Sequence, residues 1–159
     1  MAEKLYIAGC ELSGQTAHEA GRALLARLYE SHVGGSMPAI LVAPRGKPYF
    51  ADSPWHFSIT HTHRHAFCVL ADRPVGVDAE EMDRQIDLGL AEKILSPGEL
   101  ARFSAAEDPR LALLTFWVLK EADAKRTGEG IRFHPRHTDF SADDPRVRHY
   151  HGCLLAIIL

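Results

Sequence analysis

The chain has 159 residues, of which 46% are hydrophobic and 25% charged, with a formal net charge of −3. These values are ordinary for one globular domain, and the slight acidity gives no sign of general affinity for nucleic acids. No segment approaches the roughly 20 apolar residues of a membrane-spanning helix, and the N-terminus lacks the apolar run of a signal peptide. The three cysteines, Cys10, Cys68 and Cys153, form no CxxC pair, so neither a disulfide framework nor a zinc ribbon is indicated. We therefore expect a cytoplasmic protein with no nucleic-acid or membrane partner.

The first half of the chain predicts a helix among short strands. Thr16 and Glu19 have the spacing of a capping box in front of an amphipathic helix. Residues 45–48 read as a turn or loop, and residues 61–65 as the polar tip of a hairpin. Apolar runs predict strands at 4–8, 39–43, 55–60 and 66–71.

The second half predicts two capped helices and further strands. Ser96 and Glu99 form a second capping box, with a proline at the first helical position. Asp108 is the expected N-cap of a long helix that Gly128 ends. Strands are predicted at 75–80, 137–140 and 153–159. This order of helices and strands predicts an α+β protein.

Acidic side chains recur on one side of the strand at 75–80. Asp78 and Glu80 lie two residues apart, so their Cα atoms are about 6.5–7 Å apart on one face. Two carboxylates this close repel each other unless a cation lies between them, and Mg²⁺ is the simplest candidate. Glu121, which shares a face of the long helix with Lys125, can supply a third carboxylate. Alternatively, Asp78 and Glu80 form the solvated side of an edge strand.

Four motifs occur in order between about Arg45 and Ile131. They are Gly46-Lys47-Pro48, the run FSITHT at 57–62, GVDAE at 76–80, and WVLKEA at 117–122 followed by Lys125 and Gly128. Together they resemble the signatures of the 4′-phosphopantetheinyl transferase superfamily, in the branch typified by the surfactin-synthetase activating enzyme. Any one of these motifs alone would be a weak indication.

The resemblance implies a fold and an activity. The fold is a single domain, 1–159, of two pseudo-related α+β halves (about 1–74 and 75–159) packed side by side, with the active site in the cleft between them. The activity is Mg²⁺-dependent transfer of the 4′-phosphopantetheine group of coenzyme A to a serine of an apo acyl or peptidyl carrier protein, which releases adenosine 3′,5′-bisphosphate. With both halves in one chain, a monomer is expected.

The resemblance also assigns roles to individual residues. Mg²⁺ would be held by Asp78, Glu80 and Glu121. The catalytic residues would be Glu121, as base for the serine, together with Lys125 and His61. Coenzyme A would be bound by Arg45, Gly46, Lys47, Pro48, Thr60, His61, Lys120 and Lys125.

Two other interpretations remain open. The segment before Arg45 is short for this branch, and Asp123 stands where the motif carries a bulky apolar residue. The short first segment favours an impaired homologue that binds coenzyme A or a carrier protein without transfer, and the Asp123 change could alter packing or pantetheine contacts. A zinc hydrolase is the other alternative, because His61, His63 and His65 could share one face of a strand or turn.

Overall fold

A computed structural model describes residues 2–129 and 135–159. The first half contains β1 (Leu5–Glu11), α1 (Ala17–His32), β2 (Ile40–Val42), β3 (Pro48–Phe50), β4 (His56–His61) and β5 (His65–Ala71). The second half contains β6 (Gly76–Glu81), α2 (Ala91–Ile94), α3 (Pro97–Ala105), α4 (Pro109–Thr127), β7 (Val147–Tyr150) and β8 (Cys153–Ile158). The predicted α+β class is confirmed. Within the described ranges, no helix has the length and apolar character needed to cross a membrane.

The two halves share one connectivity. In the first half the chain runs through β1, α1, β4 and β5, and the antiparallel sheet has the order β1-β5-β4. In the second half it runs through β6, α4, β7 and β8, and the sheet has the order β6-β8-β7. Each sheet therefore places the last strand of its half between the other two. This common topology supports the expected relation between the halves.

Helices cover the outer faces of the two sheets, which pack against each other. Because successive strand residues point to opposite faces, Cys68 and Leu70 of β5 join the core beneath α1, whereas Phe67 and Val69 join the core between the sheets. On β8, Leu155 lies between the sheets, while the residues on either side of it pack beneath α4. The layers follow the order α1, first sheet, second sheet, α4.

The alternation predicted for β6 is also present. Val77 and Ala79 lie in the core between the sheets. Gly76 and Asp78 meet α4 on the other face, where an added Cβ on Gly76 would lie 1.8 Å from the Ala122 carbonyl oxygen. This close approach of two backbones brings the carboxylates of β6 to the C-terminal end of α4.

We expect Gly76→Ala to destabilise the protein by about 3 kcal/mol, the upper end of ordinary overpacking costs, because backbone atoms of α4 cannot rotate away. Gly21→Ala is the matched control. Its Cβ would meet a methyl group of Ile59 at 2.5 Å, which can move, and alanine favours the helix by about 1 kcal/mol. Urea unfolding compares the two variants, and equal losses of stability would contradict the proposed contact.

Three stretches differ from the sequence-based prediction. The strand expected at 137–140 is wrong: a short 3₁₀ turn ends at His137, and no strand follows before β7. Polar bonds hold this segment instead, since Asp139 accepts from Arg102, and the Phe140 amide donates to Glu99 at 2.8 Å.

The partner of β8 is β7, which the sequence does not indicate because its mostly exposed side chains show no apolar pattern. Strand β3 begins within the segment predicted to be a turn or loop.

Candidate active site

Three elements from both halves meet at Asp78. Lys125, in the last turn of α4, donates from Nζ to Asp78 Oδ1 at 2.9 Å and to the hydroxyl of Thr60 at 3.0 Å. Thr60, on β4, donates its own proton to Asp78 Oδ1 at 3.2 Å. The Lys125 side chain stays one-third exposed, whereas that of Asp78 is 9% exposed. Lys125 therefore pairs with a buried carboxylate while part of its own side chain remains in contact with solvent.

The second carboxylate oxygen of Asp78 has an unusual environment. Oδ2 is buried and has no hydrogen-bond partner in the described part of the chain. Burial raises the pKa of this carboxyl, although Lys125 and Thr60 oppose the shift. A buried oxygen without a partner is energetically costly in a folded protein unless a ligand satisfies it. Asp78 therefore fits a cation ligand.

Glu80 and Glu121 complete an acidic cluster around Asp78. Burial raises the pKa of both carboxyls, and the negative charge of Asp78 raises each further. Glu121 and Glu80 also interact, since the charge of Glu80 raises the pKa of Glu121. Three half-buried or buried carboxylates that disfavour each other's ionisation form a suitable oxygen-ligand set for Mg²⁺.

The three carboxylates of the acidic cluster do not meet at one point, and Glu80 has other partners. Its carboxylate forms an ion pair with Arg84. Burial raises the pKa of Glu80, whereas the Arg84 charge and the neighbouring Trp117 indole both lower it. The guanidinium of Arg84 also lies 5.9 Å from the centre of the Trp117 ring. The ligand atoms of Asp78, Glu80 and Glu121 do not all lie within 4.8 Å of one another. A bound cation would compete with Arg84 for Glu80.

A cleft of about 270 Å³ opens beside Lys125 and Glu121. Its other wall is the loop at 45–48, and apolar side chains of β4 form part of its surface. The complete lining comprises Arg45, Gly46, Lys47, Pro48, Phe57, Ser58, Ile59, Glu121, Ala124, Lys125 and Gly128. The two walls thus come from different halves of the chain.

Lys47 ties the loop to the end of α4. Its Nζ donates to the carbonyl of Arg126 at 2.7 Å, where a helix C-terminus favours a cation. Burial, and then the charge of Arg126, lower the pKa of Lys47. The helix ends at Gly128, whose φ of 78° belongs to the left-handed region that glycine adopts without strain. An added Cβ there would also lie 3.3 Å from the Lys47 side chain.

The structure places Lys120 away from this site, which corrects the expectation that it binds phosphate. Its side chain is 1% exposed, and its ammonium forms a 2.7 Å ion pair with Glu99. It also donates to the carbonyl oxygens of Pro135 and Thr138 and to the Thr138 hydroxyl. Lys120 and Lys125 therefore lie on different sides of α4, where they pair with Glu99 and Asp78 respectively. Lys120 does not belong among the coenzyme A ligands.

The histidines of the β4–β5 turn do not gather around one point. His61 and His63 are exposed, whereas His65 is buried and contacts Glu81 at 2.9 Å. Within residues 2–129 and 135–159, the three rings do not form a group with ligand atoms inside 4.8 Å. The structure therefore gives the zinc hydrolase alternative no support. His61 lies at the end of β4, next to Thr60, but outside the lining of the cleft.

Some contributors could not be recognised in the sequence. Ser58 accepts a hydrogen bond from the Val77 amide at 3.1 Å, which links β4 to β6 beside the acidic cluster. Arg84 follows Glu80 by four residues, and this spacing of an acidic and a basic residue is too common on protein surfaces to indicate a site. Asp123, which departs from the motif, forms an ion pair with Arg126 at 2.8 Å. A polar residue at that position is therefore compatible with this helix.

Comparison with known proteins identifies relatives of this arrangement. A family model described as the 4′-phosphopantetheinyl transferase superfamily matches residues 74–155, which include β6 and α4. The 4′-phosphopantetheinyl transferase psf-1 of Bacillus pumilus is 31% identical over 125 residues, which are 72% of this chain and 53% of that protein. The 4′-phosphopantetheinyl transferase HetI of Nostoc sp. is 31% identical over 122 residues, covering 70% and 52%.

A third relative has a similar extent of match. The 4′-phosphopantetheinyl transferase AcpT of Escherichia coli K12 is 34% identical over 114 residues, which are 69% of this chain and 56% of that protein. The chain thus spans about half the length of these curated relatives.

Proposed function

Since the chain belongs to the 4′-phosphopantetheinyl transferase superfamily, in the branch typified by the surfactin-synthetase activating enzyme, we propose that it transfers the 4′-phosphopantetheine group of coenzyme A to a serine of an apo acyl or peptidyl carrier protein. One observation carries the proposal. Lys125 and the buried, unpartnered oxygen of Asp78 lie together beside a cleft whose other wall is the loop at 45–48. That arrangement provides a cation, a metal ligand and space for a nucleotide.

In the proposed reaction the serine oxygen attacks the phosphorus that carries the pantetheine arm. A serine O–P bond forms, the pyrophosphate O–P bond breaks, and adenosine 3′,5′-bisphosphate leaves. Glu121 accepts the serine proton, directly or through a water. Mg²⁺, held by Asp78, Glu80 and Glu121, would neutralise charge on the pyrophosphate.

The remaining residues position coenzyme A. The adenine and ribose would lie against Gly46 and Pro48, because these residues line the wall opposite the helix. Lys125 would face the phosphates, since its ammonium is fixed by Asp78 while its side chain stays partly exposed. His61 and Arg45 are proposed to bind phosphate oxygens at the two ends of this path. Phosphoryl transfer depends mainly on such positioning and charge neutralisation.

Intact-protein mass spectrometry tests the proposal most directly. Apo carrier proteins of fatty-acid, polyketide and peptide synthesis would be incubated with this protein, coenzyme A and Mg²⁺. We expect a mass gain of one phosphopantetheine on at least one carrier, lost with EDTA and absent from a carrier whose acceptor serine is alanine. If no carrier gains mass while calorimetry shows coenzyme A binding, the impaired homologue replaces the transferase.

The site also leads to proposals about assembly. Thr60 and the loop at 45–48 come from the first half, whereas the carboxylates and Lys125 come from the second. We therefore propose that residues 1–159 act as one domain and that a monomer holds a whole site. Light scattering would give the mass in solution. A cytoplasmic location, where carrier proteins and coenzyme A meet, belongs to the same proposal.

Lys125→Ala should reduce transfer far more than stability. Removal of one charged donor from a phosphoryl-transfer site costs on the order of 10²–10³ in rate. The free energy of unfolding should fall by only about 1–2 kcal/mol, since Asp78 can take up a proton when its partner is lost. Arg126→Ala is the matched control, because this neighbouring cation pairs with Asp123 and lies outside the cleft lining. If Lys125 had only a structural role, the activity of the Lys125→Ala variant would fall only in proportion to its folded fraction.

A further inference from the structure

A second cluster of metal-ligand side chains lies where the two sheets meet. His65 begins β5, Glu81 ends β6 and Cys153 begins β8. All three residues are buried, and one ligand atom from each lies within 4.8 Å of the others. Among the residues that the structure describes, this is the group of histidine, cysteine and carboxylate side chains that meets such spacing. Neither the motifs nor the proposed transfer reaction uses it.

The distances in this cluster suit a tetrahedral metal ion. Nδ1 of His65 lies 2.9 Å from Oε1 of Glu81 and 3.5 Å from Sγ of Cys153. Zinc bonds of 2.0–2.3 Å would separate neighbouring ligand atoms by about 3.3–3.7 Å. A shift of a few tenths of an ångström therefore accommodates the ion.

The same geometry argues against a nucleophile–base pair. Such a relay uses the two ring nitrogens of a histidine separately, one for the nucleophile and one for the carboxylate. Here Glu81 and Cys153 both approach Nδ1 of His65, which carries at most one proton. Cys153 is also fully buried. Convergence of three groups on one point is what a shared ion requires.

Neighbouring residues hold the carboxylate in this orientation. The Thr62 hydroxyl accepts from the amides of Arg64 and His65 and donates its own proton to Glu81 Oε1. The guanidinium of Arg64 donates to Glu81 Oε2 at 3.2 Å and is itself paired with Asp83. Such outer contacts orient the first ligands of metal sites. With neutral His65, ionised Glu81 and thiolate Cys153, a divalent ion would leave the site without net charge.

We propose that His65, Glu81 and Cys153 bind a zinc ion that links the first sheet to the second. Imidazole and thiolate select zinc over magnesium, so this site differs in chemistry from the carboxylate cluster of Asp78. A cleft of about 220 Å³, whose lining includes Glu11 and His151, borders one of the three ligands, His65.

Cobalt titration of the metal-free chain tests the proposal. Excess Mg²⁺ would be present throughout, with a phosphine reductant in place of thiols. We expect one Co²⁺ per chain, a thiolate-to-cobalt charge-transfer band in the near ultraviolet, displacement of Co²⁺ by Zn²⁺, and a higher melting temperature with Zn²⁺. Cys153→Ser should abolish the band, whereas Cys10→Ser and His63→Gln, a second cysteine and an exposed histidine nearby, should keep it.

The wild-type spectrum alone can overturn the proposal, since a folded chain without the thiolate band has no such site. Retention of the band in Cys153→Ser would equally exclude the assigned ligands. Should Cys153→Ser fail to fold by circular dichroism, Glu81→Gln and His65→Gln provide the same test. Each should weaken Co²⁺ binding at least ~10-fold while the thiolate band remains at saturation, and unchanged affinity in both would contradict the site.

Discussion

Asp78→Asn is expected to lower Mg²⁺-dependent phosphopantetheinyl transfer by at least ~10²–10³-fold while the protein stays folded. Asparagine keeps the shape of the side chain but loses the charge that would hold the metal and that pairs with Lys125 at 2.9 Å. Stability should change little. Loss of the pairing with Lys125 is offset because the cost of burying a carboxylate, which raises the pKa of Asp78, disappears as well.

The rate on a carrier protein, followed by intact mass, would be compared with the urea midpoint of the same preparation. Asp83→Asn is the matched control, because Asp83 is exposed, follows the same strand and pairs with Arg64 rather than Lys125. Turnover close to wild type in Asp78→Asn would disprove the assignment of Asp78 to the metal. Asp78→Ala should give the same loss of transfer.

Lys120→Met should destabilise the protein by about 3–5 kcal/mol, because it leaves the carboxylate of Glu99 buried without its cation. Glu99 is 0% exposed, and the lysine that pairs with it also holds the carbonyl oxygens of Pro135 and Thr138. Lys120→Met therefore removes more than one ion pair, because it also removes the hydrogen bonds that attach Pro135 and Thr138 to α4. Urea unfolding measures the change.

A second substitution separates charge burial from other effects. Glu99→Gln in the Lys120→Met background removes the unpaired charge. It keeps one oxygen, which can accept from the amide of Ser96 or of Phe140, whereas Glu99 accepts from the two amides with different oxygens. We expect it to recover part of the lost stability. Transfer per folded molecule should remain near wild type in Lys120→Met, whereas a large fall in that specific rate would return Lys120 to the phosphate-binding residues.

Local sequence signals predicted the parts of the site that depend on one element. The alternation of β6 placed Asp78 opposite Val77, and helix periodicity placed Glu121 and Lys125 on a common face of α4. Both features follow from backbone geometry over a few residues. The capping signals at Ser96 and Asp108 marked helix starts for the same reason.

Signals that depend on tertiary partners were not readable in the sequence. Lys120 and Lys125 both lie in the polar half of one helix, and only the position of Glu99 shows which of them is structural. His65 looked like part of an exposed turn, yet Glu81 from another sheet makes its burial possible. Strand β7 has an exposed surface and so carries no hydrophobic period at all.

The bond between Lys47 and the carbonyl of Arg126 has a consequence for ligand selection. It fixes the separation between the loop at 45–48 and the end of α4 before any ligand arrives. A preorganised cleft loses little conformational entropy on binding, but it also adapts poorly to groups of another thickness. Under the proposed function, this cleft would select a bound nucleotide by the size and shape of its base as well as by its charge. Nucleotides with smaller bases would leave the walls of this cleft unfilled.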